Sequence, residues 1–269
     1  MFRGSLNLAI SLYLTILTQA QPNINLTQSE KSIKSEYFRI INLDIFKRES
    51  PSVMLADSFY TLLQYDSTFE FPFTTLDKIG KIYSPDHRLR IYSWNIPIGV
   101  DQNLYFAIIQ YSGKKEKKMY SLKMKGVPDY QGKISIDNWP GALYYEIVET
   151  KHAGQKYYTL LGFDLNNLLT NKKIIDVVSI DDFDKFYFCP QLIQYNGKMT
   201  DRLVFEYNEK ASMTLKFNED KKMIIFDHLS PEKPSMEGNY QYYGPDFTYD
   251  GLKFEKGIWV LYSNIIVTN

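Results

Sequence analysis

The side chains best suited to chemistry cluster near the C-terminus, in Tyr240-Gln241-Tyr242-Tyr243-Gly244-Pro245-Asp246-Phe247-Thr248-Tyr249-Asp250-Gly251. Tyrosine rings offer flat apolar faces with a polar tip, and such faces stack on sugar rings or bases. Asp246 and Asp250 supply hydrogen-bond acceptors, and the glycines beside them let a ligand approach the backbone. Trp94 and Trp259 sit in apolar, strand-like runs and read as core. Trp139 lies in the loop Trp139-Pro140-Gly141, where an exposed indole would make a glycan platform. The expected ligand-binding set is therefore Trp139, Tyr243, Asp246, Tyr249 and Asp250. The same stretch also reads as plain structure, because Gly244-Pro245-Asp246 fits a turn and tyrosine at every second position is ordinary strand composition.

Other chemistries have weaker support. Two acids suffice for glycoside cleavage when held roughly 5 to 10 Å apart, so Asp164, Asp246 and Asp250 define an alternative, hydrolytic reading. The sequence has no Gly-x-Ser-x-Gly elbow, phosphate-binding Gly-x-x-x-x-Gly-Lys loop or His-Glu-x-x-His zinc helix. The three histidines, His87, His152 and His228, stand far apart and show no metal-ligand spacing. Ser179-Ile180-Asp181-Asp182-Phe183-Asp184 is rich in carboxylates but lacks the glycine and the final glutamate of a calcium loop, so it reads as a turn. Cys189, in Phe186-Tyr187-Phe188-Cys189-Pro190, reads as a small hydrophobe. No catalytic residue, metal or cofactor is assigned on these grounds.

The elements that must position these residues follow from pattern. Met1 to Gln21 has a positive start at Arg3, an apolar run from Leu6 to Leu17 and small residues before a cut after Ala20, which is the form of a signal peptide covering residues 1–20. That run is too short and too interrupted to anchor the chain in a bilayer, so a periplasmic or secreted location is expected. Residues 21–75 read as a helical segment: Ile33, Tyr37, Ile40, Ile41 and Ile45 recur at helical spacing, with Pro51 as the expected stop. Leu55, Phe59, Leu62 and Leu63 then form one face of a short amphipathic helix that packs on a sheet. Residues 76–269 read as an antiparallel β domain of some thirteen short strands separated by turn formers, among them Lys185 to Tyr195 and Asn239 to Tyr243. Its strongest hairpin signal is Asn196-Gly197. The fold class is thus mainly β, an antiparallel meander of sandwich, barrel or propeller-like form with a short N-terminal helical segment and one buried face per strand.

Lys and Arg number 31, as do Asp and Glu, and loss of Arg3 with the leader leaves 30 against 31, a net charge of −1. A neutral chain carries no electrostatic footprint for nucleic acid. The single cysteine cannot form an internal disulfide, so the fold rests on its core.

Several phrases together resemble an uncharacterised family of exported proteins from Bacteroidetes-type bacteria. They are Leu89-Arg90-Ile91-Tyr92-Ser93-Trp94, Tyr157-Tyr158-Thr159-Leu160-Leu161-Gly162-Phe163-Asp164, Asn171-Lys172-Lys173-Ile174-Ile175-Asp176-Val177, and Phe226-Asp227-His228-Leu229-Ser230-Pro231 with Tyr243-Gly244-Pro245-Asp246. The likeness runs from about Leu62 to the C-terminus and departs after Trp94, where Asn95-Ile96-Pro97-Ile98-Gly99-Val100 replaces a Gly-Gly-Thr-like loop. The resemblance implies export and transfers no catalytic residue. The expectation is a soluble exported protein with a non-catalytic binding or envelope-assembly role, its partner an envelope protein or a glycan. A carboxylate-dependent envelope glycoside hydrolase or a glycan-binding protein is the alternative.

Overall fold

The computed structural model describes residues 24–113, 117–124 and 134–266. The expected leader therefore lies outside the described residues, as do Lys114 and Lys115, which with Lys117 and Lys118 read in sequence as a solvated hairpin loop. Asn25 opens the first helix, α1 (Leu26–Ile41), by accepting a hydrogen bond from the Gln28 amide at 3.0 Å, the usual way to satisfy a free helix N-terminus. Its stripe buries Ile33 and Ile40. Pro51 does not stop this helix. It sits in the first turn of the second, α2 (Glu49–Leu63), where its missing N–H and fixed φ are tolerated. Leu55, Phe59, Leu62 and Leu63 form the buried face of α2, and Phe59 meets Phe73, Tyr92 and Trp94 edge to face. No helix among the described residues is long and apolar enough to cross a membrane.

Among the described residues three sheets follow. The first is a meander of β1 (Gly80–Tyr83), β2 (Leu89–Pro97), β3 (Asn103–Ser112) and β4 (Lys117–Lys123). β1 was not legible as a strand. The second sheet begins with β5 (Leu143–His152), β6 (Gln155–Asp164) and β7 (Thr170–Ile180), with β8 (Phe186–Phe188) paired to β7. The chain then crosses to the third sheet for β9 (Ile193–Tyr195) and β10 (Lys198–Thr200), joined at Asn196-Gly197, where both residues take positive φ (48° and 73°) as the dipeptide predicts. It returns to the second sheet for β11 (Arg202–Asn208) and completes the third with β12 (Leu215–Asn218), β13 (Met223–Pro231), β14 (Tyr243–Glu255) and β15 (Ile258–Tyr262).

Three expectations are corrected here. Lys185 to Tyr195 is not one strand: at Cys189-Pro190-Gln191 the chain leaves the second sheet, with Gln191 at φ 51°. Asn239 to Tyr243 is not a strand either, since Tyr240–Tyr242 forms a 3-10 turn. The meander is also broken by a parallel pair, β9 beside β15.

The sheets stack with the second in the middle and do not close into a barrel. β7 sends Ile174 and Val178 into a core shared with the first sheet and the helices, and Ile175 and Val177 into a core shared with the third sheet. The expectation of one buried face per strand therefore fails for the central strands of the middle sheet. Strands covered on both faces read as near-continuous apolar runs, and β11, with Leu203, Phe205 and Tyr207 buried, keeps the alternation of a one-sided strand.

A fully buried ion pair sits inside this stack. Asp176 is fully buried and accepts two 2.6 Å bonds from Arg202, its cross-strand partner. The Tyr144 hydroxyl donates to the same carboxylate at 2.6 Å, and the Trp139 indole donates to that hydroxyl at 2.9 Å. Burial, reinforced by the Asp176 charge, pushes the Tyr144 phenol well above its ordinary value. Gly141 completes the turn at φ 97°, a position where a Cβ would lie 2.8 Å from the Tyr105 ring.

Breaking a buried ion pair from one side leaves an uncompensated charge, worth about 3 to 5 kcal/mol. Asp176→Leu is therefore expected to lower stability by about that amount in urea unfolding. The double variant Asp176→Leu with Arg202→Met should lose less than the single one; an equal or larger loss would mean the pair itself is not what is being broken.

Candidate functional site

The register of β13 against β14 is interrupted after Asp227. Phe226 faces Asp250 and Asp227 faces Tyr249, but the next pair is Leu229 with Pro245. His228 thus stands opposite Asp246, Phe247 and Thr248, three residues against one. Such bulges re-aim side chains and recur beside functional sites. At its tip Phe247 takes φ 69° and is 92 % exposed. Positive φ is uncommon for a bulky residue, and here it presents an apolar ring to water.

The surrounding groups are fixed. Asp246 accepts from the Thr248 amide at 3.0 Å and from its hydroxyl at 2.7 Å. Burial raises the Asp246 carboxyl, yet these bonds and the nearby His228 outweigh it and hold the group below the usual carboxylate range. The Tyr240–Tyr242 turn is tied down by Asn208, whose amide donates to the Gln241 carbonyl, and by the Glu232 amide, which donates to Tyr242 at 2.9 Å. The Tyr243 hydroxyl accepts from the Gly238 amide at 2.9 Å, and its ring lies 5.1 Å from that of Tyr240. The result is a braced ledge on which Tyr240 and the partly core-packed Tyr243 meet, with Asp246 and the exposed Phe247 further along β14.

Asp250 is buried and serves this ledge from behind. One oxygen lies 2.7 Å from His228 Nδ1, and the other accepts from the Asn264 amide at 3.0 Å. Tyr249 is half-buried, and its carbonyl accepts from Ile265. Tyr243, Asp246, Tyr249 and Asp250 therefore share one strand around the bulge. Trp139 is elsewhere, only 2 % exposed and bonded to Tyr144, so it offers no platform. Gly244-Pro245-Asp246 is not a turn but part of β14. Asp164 lies in the second sheet, buried and bonded to Tyr105 at 2.7 Å and to the Asn166 amide at 2.8 Å. The expected ligand-binding set lacked three members, Tyr240, Phe247 and His228. The extra residues of the bulge and the 22-residue separation of His228 from Asp250 leave no local signal, although an aromatic between Asp246 and Thr248 is a visible hint.

The remaining candidates have structural partners. Asp181 accepts from the Phe183 and Lys185 amides, both at 2.9 Å, and so closes a turn. Cys189 is buried, and burial pushes its thiol up to about 12. Among the described residues no three His, Cys, Asp or Glu side chains form a metal-holding group. No protein-family model matches this chain, and neither a curated protein nor a solved structure matches it.

If Thr248 sets the acidity of Asp246, Thr248→Val should move that carboxyl upward toward the ordinary value of about 3.9. A carbon-detected NMR titration of the Asp246 side chain reads this directly. The sign for stability follows. A carboxyl depressed in the folded state stabilises above its unfolded pKa, and that stabilisation fades as pH falls through the folded one. Thr248→Val should flatten this acid dependence, and an unchanged Asp246 titration would exclude the role given to Thr248.

Proposed function

We propose that this is an exported, non-catalytic binding protein that recognises an envelope carbohydrate through the ledge of Tyr240, Tyr243 and Phe247. The observation that carries the reading is Phe247, an exposed ring on a left-handed backbone at the tip of a braced bulge. Backbone strain persists where the surroundings over-determine it, and it clusters at ligand sites. An exposed aromatic face beside a fixed acceptor suits a sugar, whose C–H face stacks on the ring and whose hydroxyl donates to Asp246. Export is supported by the form of Met1 to Gln21 and by the family resemblance. The hydrolytic reading has less behind it, since Asp164 belongs to another sheet and Asp250 is engaged by His228.

Screening the purified protein on a glycan array should give a defined set of bound glycans. Loss of one stacking ring removes about 1 kcal/mol, so Phe247→Ala should weaken their binding roughly fivefold while the fold persists. An empty array, or a variant that binds as well as the parent, would remove carbohydrate recognition at this ledge.

A further inference from the structure

The outer strand of the middle sheet, β5, is paired on one side only, by β6. Its first residues lie close to β1, since Tyr144 O is 3.5 Å from where a Cβ on Gly80 would stand. Beyond them, Glu146 to Lys151 line a groove of about 450 Å³, with Pro85 on one wall and Phe217, Glu219 and Lys222 on the other. The first and third sheets also end here, at β1 and β12. The edge of β12 is already served by β5: the Tyr145 hydroxyl donates to Leu215 O at 2.9 Å, and the Phe217 amide donates to Glu146 Oε2 at 3.2 Å. Among the described residues nothing does the same for β5. No backbone hydrogen bond outside the ladder with β6 reaches Glu146 to Lys151, and the buried Thr150 hydroxyl oxygen has no partner.

The charges in the groove are unevenly matched. Glu149 is paired with Lys156 at 2.7 Å, and Glu219 with Lys222 at 2.7 Å. Glu146 and Lys151 have no salt-bridge partner among the described residues, but Lys151 is exposed to water whereas Glu146 is half-buried. Burial and the Glu219 charge raise the Glu146 carboxyl, against the Phe217 amide and Lys216.

We infer that this groove takes an extended, basic segment of a partner polypeptide, which adds to the free edge of β5 and places a Lys or Arg against Glu146. An open strand edge is a row of alternating donors and acceptors, and another strand's backbone is what matches it. A sugar fits less well, because among the described residues the only aromatic side chain lining the groove is Phe217, which is partly packed on the core of the third sheet. This site is independent of the ledge at Phe247, which lies on other strands.

The test uses a blocked heptapeptide alternating Thr and Val with Lys at its centre, titrated into the full protein by fluorescence polarisation and by amide NMR. The inference predicts saturable binding with shifts at Glu146 to Lys151. It also predicts loss of binding when alternate peptide amides are N-methylated, and a roughly three- to fivefold weaker complex with Glu146→Gln, the scale of a partly exposed ion pair. Phe247→Ala should leave peptide binding unchanged, so failure here and failure of the carbohydrate reading can be told apart. The inference is overturned if the peptide does not bind, if the N-methylated or a Glu-centred peptide binds as well, or if an oligosaccharide moves the same amides. It is equally overturned if sedimentation finds a dimer in which those amides are protected without peptide, since a second copy then closes the edge.

Discussion

The structure depends on the two central strands of the middle sheet, which are covered on both faces. β6 and β7 are covered by the first sheet on one side and the third on the other, so each side chain they bury must be apolar or bonded. Asp176 meets that condition through Arg202 and Tyr144, and Thr159 meets it through the Trp259 indole at 2.8 Å. The pair also has a specifying effect. Arg202 returns the chain from the third sheet to the second, and a register slip of one residue would turn its side chain away from Asp176.

That constraint explains what was legible. Asn196-Gly197 announced its hairpin because the conformation it needs is local. β11 announced its buried face because the other face is wetter. The middle strands were legible as strands, but not as doubly buried ones, because periodicity alone does not separate a buried run from other apolar segments. Trp139 was misread for a related reason: a loop tryptophan beside Pro and Gly reads as exposed, and the phenol that receives its N–H is itself placed by a carboxylate 32 residues further on. The Cys189-Pro190-Gln191 departure left only Pro190 as a signal, inside an aromatic stretch that otherwise continues as strand.

The interior being committed, recognition is left to the margins of the sheets. The ledge at the β13–β14 bulge and the groove at β5 are both places where the regular ladder stops. The candidate site was half legible: composition singled out Tyr243, Asp246, Tyr249 and Asp250, yet their arrangement around Phe247 depends on a register that no local pattern encodes. The sequence could not show that Asp250 faces His228, since that contact exists only once β13 and β14 have paired.

Native-state hydrogen exchange tests the central claim most directly. If the doubly covered central strands of the middle sheet are the structural core, amides of Leu160, Leu161, Ile175 and Val177 should exchange only through global unfolding and report the full unfolding free energy, with Phe247 and Thr248 exchanging far faster. Exchange of those middle-sheet amides by local opening, at a free energy well below the global value, would contradict the account.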